Sequence, residues 1–178
     1  MNSVIDTIIF EDRLKEMFLL LPDMSYETGG TKFPVTFGYG DRKELNFFLK
    51  SKTRGDAPYP LIWLLYPYVE NHEGNKLHVD GANLVLAVKT IASMQNPERL
   101  ETTFKKVLIP LFDNIRHLFN VANIVNKADK YEIIKYPNYD YNNGGAEHPG
   151  TLIWDALDVK FDISILSNRV CLKPVKFR

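Results

Sequence analysis

The sequence predicts an α+β fold: a single mixed, largely antiparallel sheet with an N-terminal helix and a long kinked helix packed on it. Three stretches carry that expectation. Residues 61–69, LIWLLYPYV, are apolar at both parities, the pattern of a strand covered on both faces in a sheet interior. Residues 77–90 alternate, with Leu84, Leu86 and Val88 on one face and Val85 and Ala87 on the other. Residues 96–119 hold Leu100, Phe104, Val107, Leu108, Leu111, Phe112, Ile115, Leu118 and Phe119 at helical spacing, so one side of that helix must lie on the sheet.

The other elements follow in chain order. An N-terminal helix starts at Ser3 as N-cap and stops at Leu21-Pro22, because the residue before proline is pushed out of the helical region. Ile5, Ile8 and Ile9 fall on one side of it and Phe10, Leu14, Met17 and Leu21 on the other, a stripe broad enough to need two covers. Either its own sheet supplies both, or a neighbouring subunit supplies one. Residues 23–32 are a polar loop. Phe33-Pro34-Val35-Thr36-Phe37 reads as an edge strand ended by a Gly38-Tyr39-Gly40 turn. That turn is not a phosphate loop: it lacks a third glycine, and Asp41 and Glu44 would repel the anion. Asp41 can cap residues 42–49, whose period leaves helix and extended chain both open, and a loop follows over 50–60.

The strands at 61–69 and 77–90 should pair as a hairpin across 70–76, with a bulge at Gly81. Asn96 is the expected cap of the long helix, with Pro97 at its first position and Glu98 and Glu101 in the favourable first turn. Pro110 cannot donate to the carbonyl of Lys106, so a kink is expected there. Strands follow at 131–136 and 157–166, the latter with Val159, Phe161, Ile163 and Ile165 inward and Asp158, Lys160, Asp162 and Ser164 outward. Residues 170–177 suggest one more edge strand. Between them, the Tyr-, Asn- and Gly-rich loop 137–151 is expected to carry Tyr139 and Tyr141 toward solvent, as a contact loop or a plain surface loop.

Composition narrows the functional classes. At 178 residues and 45% hydrophobic the chain suits one domain, spanning 1–178. Lys plus Arg equals Asp plus Glu at 22 each, so no net field gathers nucleic acid or an anionic membrane. Cys171 is alone, which rules out an internal disulfide and fits a reducing cytoplasm. The first 22 residues lack a basic leader and are broken by charges, unlike a signal peptide or a membrane span. Asp158 and Lys160 sit two apart on one strand face, as a metal-dependent nuclease could use, with Asp23 as a distant second carboxylate, but a solvated strand face explains them as well. His72, His78, His117 and His148 have no metal-ligand spacing, and Cys171 has no base partner. No cofactor, metal or catalytic residue is therefore expected.

The segment order does carry a resemblance. An N-terminal helix, a strand ending Gly-Tyr-Gly-Asp at 38–41, the run YPLIWLLY at 59–66, an alternating strand, ERL at 98–100, FKKVLIPL at 104–111 and IWDALDV at 153–159 together resemble tail terminator, or tail completion, proteins of tailed phages and prophages. The resemblance spans most of the chain and rests on hydrophobic segments and their order. It implies a homo-oligomeric ring, typically a hexamer, that caps the tail tube and joins it to the head or neck. It also implies a virion location after synthesis in the host cytoplasm, and no catalytic residues. The partners would be further copies of the chain, the tail tube protein and a neck or connector protein, with no membrane and no sequence-specific nucleic acid. On this reading the contact candidates are Ile5, Ile8, Ile9 and Phe10 on the first helix and Tyr136, Tyr139, Tyr141, Asn142 and Asn143 at the late loop. Alternatives are a head-side neck or connector protein, a non-viral cytoplasmic binding module and, last, the metal-dependent nuclease.

Overall fold

The computed structural model describes residues 8–25, 30–51, 60–90, 93–139 and 153–166. Helix α1 (Phe10–Phe18) leads into a two-residue ladder, β1 (Met24–Ser25) with β2 (Lys32–Phe33). Next come β3 (Thr36–Gly40), α2 (Arg42–Ser51), β4 (Leu61–Leu65), β5 (Val69–Glu73) and β6 (Lys76–Thr90). A long helical rod follows, made of α3 (Asn96–Arg99), a π-helical segment (Leu100–Leu108) and α4 (Ile109–Val121), and then β7 (Val125–Tyr136) and β8 (Ile153–Leu166). The main sheet has the order β3-β4-β6-β8-β7, with β5 attached to β6 as a sixth strand. Among the described residues only the β3–β4 pairing is parallel; the other ladders are antiparallel. The fold is the expected α+β arrangement.

Strand parity divides the core into two layers, one on each face of the sheet. Leu84, Leu86 and Val88 join Val159, Phe161, Ile163 and Ile165 under α1 and the helical rod. On the opposite face Val85 and Ala87 join Leu61, Trp63, Leu65, Trp154 and Ala156 beneath Leu45 and Leu49 of α2. All five residues of β4 are buried, as a strand covered on both sides requires. Residues 42–49, open between helix and extended chain in the sequence, are helical and start with a reciprocal cap. The Glu44 N–H donates to Asp41 Oδ1 at 2.8 Å and the Asp41 N–H to Glu44 Oε2 at 2.8 Å.

Several expectations are corrected. Helix α1 begins only at Phe10, after Ile9 in extended conformation, and ends at Phe18, short of Leu21; Ser3 lies outside the described residues. Gly38-Tyr39-Gly40 is not a turn but the body of β3, paired residue by residue with Trp63, Leu64 and Leu65. Pro34 separates that strand from the β1–β2 ladder, which occupies part of the expected polar loop. The expected hairpin pairing holds between β4 and β6, yet most of the segment between them is strand β5, fully exposed and turned back onto β6 at Gly74-Asn75. Gly81 is the expected bulge, with φ at +67° and a register shift between Val79 and Ala82. The N-cap position of the long helix is Gln95, one residue before the expected Asn96 and without a side-chain capping hydrogen bond, and the helix's apolar series is buried except for Leu100. Its irregularity is the π-helical winding that ends just before Pro110. Pro110 falls in the first turn of α4, where its missing N–H costs least. β7 and β8 both begin earlier than expected. The possible strand at 170–177 lies outside the described residues.

Candidate interaction surface

The sequence puts aromatic residues on α1, β3 and the β4–β5 connection, and the fold lines them up. Ring centroids run from Phe18 to Phe37 (5.2 Å), Phe37 to Tyr39 (6.2 Å), Tyr39 to Tyr66 (6.1 Å), Tyr66 to Tyr68 (5.5 Å) and Tyr68 to Phe10 (5.2 Å). The row starts and ends in the core at Phe18 and Phe10 and surfaces in the middle, where Tyr39 is 51% and Tyr66 38% exposed. Val69, next in the chain after Tyr68, is exposed too, as is Ile9 beside the start of α1. Large amphipathic rings held in one arrangement are the side chains that protein contacts favour, since little rotamer entropy is lost on docking.

A carboxylate organises this row. Glu11 Oε1 accepts hydrogen bonds from the Tyr66 and Tyr68 hydroxyls, each at 2.5 Å, tying α1 to the β4–β5 connection. Burial alone would raise the Glu11 carboxyl, but the two phenol hydrogen bonds outweigh it and hold the group below its ordinary value. Both hydroxyls are pushed well up by burial and by donating to Glu11, so they remain protonated donors. Glu44 and Glu70 add further negative charge around Tyr66 and Tyr68 respectively.

The two sheet edges differ. β7 carries Lys130, Glu132 and Lys135 and two register shifts, with Lys130 at φ +59°; charge and bulges of this kind keep an edge from pairing with another strand. β3, Thr-Phe-Gly-Tyr-Gly, has no charge and no bulge, and no strand lies beyond it among the described residues.

The contact candidates named from sequence are scattered. Of the α1 group, Phe10 is fully buried and Ile8 is 7% exposed, so both belong to the core; Ile9 alone faces solvent, at 52%. Ile8 and Ile9 precede α1, so the stripe on the helix itself is Phe10, Leu14 and Met17, all in the core. Tyr136 is exposed, whereas Tyr139, expected in solvent, is 8% exposed in the α2 layer and accepts a hydrogen bond from Arg42 Nη1 at 3.1 Å. Ile5, Tyr141, Asn142 and Asn143 lie outside the described residues. Sequence reasoning missed Glu11, Tyr39, Tyr66 and Tyr68. The available signal was the density of Tyr and Phe around Gly38-Tyr39-Gly40 and Tyr66-Pro67-Tyr68, read instead as a turn and as core.

Other polar clusters have structural explanations. Asp155 is fully buried and saturated: Arg99 Nη1 donates at 2.8 Å, Thr103 Oγ1 at 2.6 Å and the Asn138 N–H at 3.2 Å. It clamps the start of the helical rod to β8. Asp158 and Lys160, the acid and lysine of the nuclease pattern, do not form an open pair: Asp158 is 3% exposed, 3.8 Å from Arg42, and only Lys160 is solvated. The expected outward face of β8 is thus half covered, with Asp158 and Ser164 buried. Burial pushes the Asp158 carboxyl up, against hydrogen bonding from Asn83 and the charges of Arg42 and Lys160.

Near the Gly81 bulge, His78 Nδ1 bonds Ser164 Oγ at 2.7 Å and His78 Nε2 lies 3.6 Å from Glu73. That order suggests a nucleophile, base and acid, but the surroundings oppose acyl transfer. The Gly81 N–H is committed to Asp162 at 2.9 Å, and Asp80 and Asp162 line the same cleft together with Lys130 and Asn126, so Gly81 leaves no free backbone N–H there as an oxyanion donor. Among the described residues no cluster of three or more His, Cys, Asp or Glu is placed to hold a metal ion, and no helix is long and apolar enough to cross a membrane. No protein-family model matches the chain, and no curated protein matches it.

Proposed function

We propose that this chain is a structural virion protein that caps a phage tail tube as a ring, with six copies as the expected number, and joins the tail to the head or neck. The observation that carries the reading is the uncharged β3 edge with its exposed Tyr39 and Tyr66. It is a built contact surface without reactive chemistry, on a chain whose segment order resembles tail terminators. A ring of identical subunits needs two different patches that meet head to tail, and the β3 edge, uncovered among the described residues, supplies one of them. Recognition of the tube end is then a matter of shape. The chain acts in the virion at the tail–neck junction, after synthesis in the host cytoplasm.

The test is genetic and microscopic. A producing prophage in which this coding sequence is disrupted should yield full heads and separate tails of uncontrolled length. Supplying the chain in trans should restore joined particles. Normal joined virions in its absence would refute the proposal.

A further inference from the structure

We propose that the exposed Tyr39–Tyr66 ring pair is a receptor for an arginine side chain carried by a basic segment of a partner protein. This deepens the contact reading by naming the chemistry that the surface recognises, and rests on it for where the partner comes from.

The geometry suits a flat cation. The two rings are tilted 41° to each other with centroids 6.1 Å apart, and Tyr39 and Tyr66 are 51% and 38% exposed. That spacing lets one guanidinium lie within about 6 Å of both centroids, the range over which a ring attracts a cation. Arginine fits better than lysine, because its planar head stacks on a ring while its outer N–H groups reach a carboxylate. Both rings are held in place, Tyr66 by its hydrogen bond to Glu11 and Tyr39 by Phe37, 6.2 Å away in the same strand. Little rotamer freedom is then lost on docking.

Charge selects the sign of the ligand. A phenol that donates to a carboxylate, as Tyr66 does to Glu11 at 2.5 Å, is polarised towards phenolate, so its ring face becomes more negative. Glu44 adds negative charge at Tyr66, and Glu70 adds it at Tyr68. Nearby arginines do not offset this: Arg13 pairs with Glu16 along α1, and Arg42 turns to Tyr139 and Asp158 on the opposite face of the sheet. Glu11, Asp41, Glu44 and Glu70 outnumber the exposed Lys43 of α2. The same carboxylates repel phosphate, which selects a basic protein segment over nucleic acid or an anionic lipid.

The probe is a short peptide, acetyl-Gly-Gly-Arg-Gly-Gly-amide, titrated at constant ionic strength into the isotopically labelled full chain and followed by NMR. Its control carries citrulline in place of arginine, nearly the same shape without the charge. The expected result is a saturable shift of the Tyr39, Gly40 and Tyr66 amide signals in the millimolar range with arginine and none with citrulline. Tyr39→Ala, shown by thermal melting to be folded, removes the shift, and Glu11→Gln weakens binding about threefold. No saturable shift, an equal shift from the citrulline peptide, or a shift of the same signals by a single-stranded oligonucleotide would overturn the proposal, and none of these readings needs a variant. Arginine binding here by a chain that does not cap tubes would keep the site and refute the tail reading. Tubes capped by a chain whose ring pair ignores arginine would do the reverse.

Discussion

Arg99 and Asp155 are charged, fully buried and 2.8 Å apart, which makes them the most consequential pair of side chains in the described structure. Removing one partner strands the other charge in the core, so Asp155→Ala is expected to cost about 3–5 kcal/mol in denaturant unfolding. Asp155→Leu combined with Arg99→Met should recover much of that loss, because no lone charge is then buried. Two carboxyls should respond oppositely to pH. Glu11 is held below its ordinary value in the fold, so its contribution is present above the unfolded value and is lost as pH falls through the lower folded one. Glu11→Gln should therefore flatten the acid limb of a stability-against-pH curve. Asp158 is raised, so the fold favours its protonated form, and stability falls as pH rises from the unfolded value through the higher folded one, above which the penalty is complete. Asp158→Asn should accordingly raise the thermal midpoint at neutral pH and do little in acid; a lower neutral midpoint would show that the contacts with Asn83 and Arg42 outweigh the burial.

At the scale of elements, β3 is where sequence and structure part most instructively. A Cβ at Gly38 would stand 2.6 Å from Cζ3 of the largely buried Trp63 ring, so the glycine is there for close strand packing. Gly38→Ala should cost about 1–3 kcal/mol and change Trp63 fluorescence, with β3 displaced from β4. Local composition hides this, because Gly-Tyr-Gly reads as a turn while the parallel pairing with β4 is a long-range fact. The alternation of β6 and the inward face of β8, Val159, Phe161, Ile163 and Ile165, were legible in the sequence, whereas the early start of β8 and the burial of Asp158 and Ser164 were not. β5 was not: Val-Glu-Asn-His-Glu, exposed throughout, carries no burial pattern to read. Pro110 signalled a helical irregularity, yet nothing local specifies that it takes the form of a π-helical segment. The contact surface was the least legible part. Phe10 and Ile9 are neighbours in sequence with opposite fates, and Tyr139 is buried only because α2 and Arg42 cover it.

At the scale of the whole molecule, the sheet among the described residues has one guarded edge and one edge with no strand beyond it, helices on both faces and an aromatic row that surfaces at the β3 side. That asymmetry suits addition of like subunits in one rotational sense, and Tyr39→Ala should weaken self-association without lowering the unfolding midpoint by more than a few degrees, as read by analytical ultracentrifugation beside thermal melting. The most direct test is made at the end of a tail tube. Purified chain is added to tubes elongating from their own tube protein, and tube lengths and ends are followed by electron microscopy. The expected result is annular density at the growing end and arrested elongation, with Tyr39→Ala requiring much more protein for the same effect. Tubes that keep growing at saturating chain, with bare ends, would contradict the account.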